Sequence, residues 1–127
     1  MSDYRTPLSR VRHLGSARNG THHWWMQRLT AIALVPLTIW FTIAIVKLIG
    51  ADYVTVKLWM AKPYSMIMLI LTMVMTFHHG QLGLQAVVED YLHVEWQKLT
   101  AIIFVKFTAI VLALTGIIAV LRVGLGG

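Results

Sequence analysis

A chain of 127 residues that is 57% hydrophobic and 13% charged falls outside the usual composition of soluble domains. It contains no cysteine, which excludes disulfides, thiolate metal sites and an iron–sulfur cluster held by this chain alone. The net charge of +6 is not a nucleic-acid signature, because five of the eleven basic residues (Arg5, Arg10, Arg12, Arg18 and Arg28) stand ahead of the first long apolar stretch, as in a cytoplasmic flank under the positive-inside rule.

Three stretches approach the roughly 20 apolar residues that cross a bilayer: about 29–49, 64–88 and 99–121. The expected fold is an all-α membrane protein, a single anchor domain over 1–127 with three transmembrane helices and an N-terminal cytoplasmic or interfacial arm over 1–23. The arm is polar and Arg-rich, with no apolar run of the kind a cleaved signal peptide needs, so the N-terminus is expected to be retained. "THHWWMQR" (21–28) follows. Trp24 and Trp25 suit the headgroup depth, a reading that leaves His22, His23 and Arg28 unexplained.

The first span contains Pro36, which removes one helix hydrogen bond and predicts a modest kink. Residues 50–64 read as a short loop, in which Lys62–Pro63 disfavours helix before the second span and admits Pro63 as an early helical residue. The second helix, running on to about Tyr91, would be about 40 Å long and outreach the hydrocarbon core. The third carries Lys106, read as snorkelling towards the cytoplasmic face without further role. With three spans and an inside N-terminus, the 89–98 connection is cytoplasmic and the C-terminus is outside. Six basic residues on the inner side, against Lys47, Lys57, Lys62 and Arg122 on the other, support this orientation.

"TFHHGQLGLQAVVEDY" (76–91) holds the chemistry. Ionisable side chains within a span face a partner, a cofactor or a water-filled cavity. At 100° per residue, His79 shares a face with Gly83, Ala86 and Asp90, whereas His78 shares one with Leu82, Gln85 and Glu89. A glycine one turn from an imidazole leaves room for a flat ligand, and histidine is a common axial ligand of haem. His79 is therefore the favoured ligand, and His78 reads as an interhelical or interfacial residue. The bland alternative is a histidine bonded to a neighbouring helix, with glycine serving close packing. Asp90 lies eleven residues on, about 16 Å along the same face. Tyr91 follows it, with a phenol able to donate to a ligand carbonyl. Read alone, "EDY" is a polar helix end.

The spacing of His79, Gly83, Asp90 and Tyr91 resembles the second helix of the hydrophobic membrane anchor family of succinate dehydrogenase (complex II), and "RNGTHHWWMQRLTAIAL" (18–34) resembles that family's first helix. The resemblance covers most of the chain. It implies His79 as an axial ligand of haem b, shared with a companion membrane anchor of the same complex that supplies the second axial histidine. It also implies His22 and Arg28 near the haem propionates, Tyr91 as a hydrogen-bond donor to ubiquinone, and Asp90 as its support. A role for His23 is not implied.

The resemblance further implies a bacterial inner-membrane location, partnership with the companion anchor, the iron–sulfur subunit, the flavoprotein subunit and membrane lipid, and no nucleic acid. The chain would lie outside the catalytic core of its oxidoreductase complex. A fumarate reductase anchor using menaquinone, and a non-redox structural or assembly protein of the membrane, are the rival readings.

Overall fold

A computed structural model of the protein describes residues 17–126. Most of the expected arm, 1–16, lies outside the described residues, as does the side chain of Arg18. Four helices make up the described chain: α1 (Ala17–Lys47), α2 (Tyr53–Ala61), α3 (Pro63–Tyr91) and α4 (Glu95–Gly124). Among the described residues there is no strand. Three of the helices are long and apolar enough to cross a membrane: Gly20–Lys47 within α1, and all of α3 and α4. All-α architecture with three spans is therefore what the chain adopts.

The helices run beyond the spans read from hydropathy. α1 begins at Ala17, so 17–23 of the expected arm is helical, and α4 begins at Glu95, four residues ahead of Leu99. Hydropathy marks the depth at which side chains leave the hydrocarbon. The backbone stays helical past that depth, since 21–28 holds neither proline nor glycine to break it. At 31 residues, α1 is about 46 Å long. It continues through Pro36 as one helix.

The 50–64 connection is not a plain loop. Asp52 caps α2, its carboxylate accepting the Thr55 N–H at 3.0 Å, and hydrogen bonding from the Thr55 side chain, with this backbone bond, holds the Asp52 carboxyl below its ordinary range. The Trp59 ring lies stacked on Trp40 of α1 with centroids 6.0 Å apart, and Tyr64 meets Trp40 edge-on at 6.2 Å. Helix formation here is thus secured by a cap at one end and an aromatic cluster at the other, neither of which hydropathy registers. Extended Lys62, at φ −66° and ψ 130°, ends α2, and Pro63 starts α3, as expected of the pair.

α3 is the central helix. It packs against α1 on one side and α4 on the other, while α1 and α4 do not pack against each other among the described residues. Among the described residues the buried apolar side chains are few, namely Leu37, Ala44, Leu69, Leu82 and Val120, and large ones such as Phe104 at 70% exposure face outwards. Lipid is as apolar as leucine, so close contact and not water exclusion holds such helices together. Gly116 and Gly124 show this contact: a Cβ at Gly116 would stand 2.8 Å from the Met73 sulfur, and one at Gly124 would meet Met66 and the Met60 carbonyl. Hydroxyls are satisfied locally, since Thr30, Thr38, Thr42, Thr72, Thr100 and Thr115 each donate to the carbonyl four residues back.

Candidate functional site

The two adjacent histidines of α3 open into different cavities. His79, half-buried, turns towards α1, where its Nδ1 lies 3.1 Å from Thr30 Oγ1. Together with Trp24, Gln27, Arg28 and Ala31 it lines a cavity of about 230 Å³. The Arg28 guanidinium sits 5.4 Å from the centre of the Trp24 ring, a cation–π contact that holds a cation at the cavity wall. Trp24 thus does more than mark the interface.

His78 faces the groove between α1 and α4. With His22, His23, Gln81, Gln85 and Lys106 it lines a cavity of about 360 Å³, which shares His78, Gln81 and Lys106 with a more apolar cavity of about 340 Å³ running on past Phe77 and Ala109. Along this face a ladder runs down α3: Gln81 donates to Gln85 at 3.0 Å, and Gln85 to Glu89 at 2.9 Å. The Nε2 of His23 is buried and has no hydrogen-bond partner among the described residues.

Four of the six site residues read from the sequence fall on α3. His79 and Asp90 share one unbroken helix, so the separation of about 16 Å along it stands. Asp90 and Tyr91 are exposed at the helix end, Tyr91 by 78%, and neither side chain makes a hydrogen bond among the described residues. Gly83 is half-exposed, and a Cβ built on it would meet nothing within 4 Å. It differs in this from Gly116 and Gly124, so packing within this chain does not require its small size. Of the two α1 residues, Arg28 joins His79 in one cavity, whereas His22 opens into the His78 groove.

The donor set bears on what could be held. No three His, Cys, Asp or Glu side chains cluster around a bare metal ion among the described residues. One imidazole beside a cation and an open glycine face fits a planar, anionic group whose metal needs only one ligand from this chain. Thr30 is the residue that reading the sequence missed. A threonine in an apolar helix is commonplace, and its partner lies 49 positions away.

Residues 2–121 match the protein family described as succinate dehydrogenase/fumarate reductase transmembrane subunit. The chain is 34% identical over 119 residues to a succinate dehydrogenase hydrophobic membrane anchor subunit of Rickettsia bellii, a match covering 93% of this chain and 94% of the relative. It is 30% identical over 123 residues to the protein of the same description from Paracoccus denitrificans, covering 97% and 95%. A third such protein, from Rickettsia conorii, is 30% identical over 123 residues, covering 96% and 98%. No solved structure matches the chain. The described chain, three apolar helices with one imidazole held between two of them, belongs to the family of succinate dehydrogenase/fumarate reductase transmembrane subunits, as a hydrophobic membrane anchor.

Proposed function

We propose that this chain anchors the flavoprotein and iron–sulfur subunits of a succinate dehydrogenase at the bacterial inner membrane, shares haem b with the companion anchor and helps to form the site where ubiquinone is reduced. The observation that carries this reading is the His79 cradle: an imidazole held at 3.1 Å by Thr30, in one cavity with Arg28, one turn from an open glycine face. His79 would be the axial ligand from this chain, and Arg28 would face a haem propionate through charge-assisted hydrogen bonds. His22, which lines the neighbouring groove, would lie near the propionates as well. The haem, when bound, supplies a one-electron redox centre within the membrane.

Tyr91 and Asp90 act at the far end of the same helix. The Tyr91 phenol donates a hydrogen bond to a quinone carbonyl oxygen, and this bond strengthens as electrons arriving from the iron–sulfur subunit place negative charge there. Asp90, beside it and exposed, supports the geometry and offers a path for protons. Exposed side chains without partners among the described residues are what a site completed by other subunits calls for. Succinate, flavin and the clusters stay with the partner subunits.

The purified complex should contain flavoprotein, iron–sulfur and companion anchor chains and show the optical spectrum of a b-type haem. Co-purification without a haem spectrum would favour a purely structural anchor, and activity with menaquinone in preference to ubiquinone would favour a fumarate reductase. For the orientation, a reporter fused at Gly127 should be active on the outer side of the membrane. Cytoplasmic activity there would reverse the topology.

A further inference from the structure

We infer that Thr30 is the positioning residue of His79: its hydroxyl accepts the Nδ1–H of the imidazole, which keeps the hydrogen on Nδ1 and leaves the Nε2 lone pair free to bind iron. This rests on the reading of His79 as an axial haem ligand.

A count of hydrogens leads to it. A threonine hydroxyl has one hydrogen to donate and two lone pairs that accept. Thr30 Oγ1 has three polar neighbours: the Met26 carbonyl oxygen at 2.8 Å, the Gln27 carbonyl oxygen at 3.0 Å and His79 Nδ1 at 3.1 Å. Carbonyl oxygens only accept, so the two nearer contacts engage the single hydroxyl hydrogen. The third contact is then a hydrogen bond only if Nδ1 carries the hydrogen. In the other tautomer, an Nδ1 lone pair would face an oxygen lone pair, and the hydrogen would sit on Nε2, where a metal cannot bind.

Burial makes this choice binding. Thr30 is 2% exposed, so no water or lipid group takes the place of either partner. Its two bonds to the preceding turn of α1 fix the hydroxyl direction, and the imidazole is therefore oriented by α1 as well as by its own helix. A ligating histidine whose second nitrogen donates a hydrogen bond is a firmer and more basic ligand. The contact thus sets both retention of the haem and its potential. It also gives α1 and α3 a polar tie in a part of the membrane where few partners compete.

The test uses the complete complex, with Thr30→Val to remove the hydroxyl at nearly constant shape and Thr30→Ser to keep it. Haem per complex, the haem midpoint potential and the low-field EPR signal of the oxidised haem, which follows the axial imidazole orientation, are the readouts. Thr30→Val should weaken haem retention by about tenfold or more, move the potential upwards and shift the EPR signal. Thr30→Ser should restore all three close to wild type. If Thr30→Val fails to assemble, Thr30→Ala removes the same hydroxyl with a smaller side chain and should give the same shifts.

A hydroxyl-free variant whose haem keeps the wild-type potential and EPR signal, or a serine variant that fails to recover them, would overturn the role of Thr30. His79→Ala separates the two levels. Haem lost in His79→Ala but unchanged in Thr30→Val leaves the ligand standing and removes only its support. Haem retained in His79→Ala removes the ligand reading, and Thr30's role with it.

Discussion

Replacement of His79 by alanine is expected to remove most of the haem absorbance from the purified complex, whereas His78→Ala should leave the spectrum close to wild type. The contrast follows from where the two side chains point. His79 alone shares a cavity with Arg28 and is held by a buried hydroxyl, and the neighbouring Gly83 leaves open space in which a planar group could lie. His78 sits among Gln81, Gln85 and Lys106 in a groove on the far side of α3. Loss of an outer partner of a metal ligand commonly costs about 10- to 100-fold in affinity, and loss of the ligand itself should cost at least that. His79→Ala also removes the bond to Thr30, so recovery of the full set of co-purifying subunits is the control that separates loss of the ligand from loss of assembly. A spectrum lost in His78→Ala and kept in His79→Ala would reverse the assignment.

Tyr91→Phe is expected to lower succinate–quinone turnover by about a hundredfold, the order seen when one donor to a developing negative charge is removed. Oxidation of succinate by a soluble artificial acceptor should be nearly unchanged. The substitution removes only an oxygen from a side chain that is 78% exposed and bonded to nothing among the described residues, so the fold has little to lose. The split between the two assays is the informative quantity. A structural defect would depress both, and unaltered quinone turnover would refute a hydrogen bond from Tyr91. Asp90→Asn should weaken turnover with a changed pH profile if the carboxylate serves proton supply, and an unchanged profile would restrict Asp90 to geometry.

Much of this was legible in local pattern. Length and hydropathy alone locate three spans, because in a bilayer every backbone N–H and C=O must be satisfied within its own segment and a long apolar run has helix as its solution. The 100° step along α3 is enough to part His78 from His79 and to align His79 with Gly83 and Asp90. Where the reading of local pattern failed, a contact between segments had intervened. Residues 53–61 form a helix because Asp52 caps it and Trp59 stacks on Trp40, nineteen positions earlier. Separately, His22 and Arg28, close in sequence, line different cavities of this chain, since six residues on a helix leave them about 120° apart and α3 lies between the two grooves.

The order of residues alone establishes the class of the molecule, the number of its spans, the polar end of the second span and which of two adjacent histidines stands beside a glycine. These are properties of composition and helical period, which act over a few residues. Helix packing is what makes α3 the central helix, brings Arg28 and not His22 to the His79 cavity, and sets a buried threonine 49 positions away against the imidazole. Hydrogen-bond direction and cavity shape depend on atoms from two helices at once, and no periodicity along one chain specifies which side chains will meet across them.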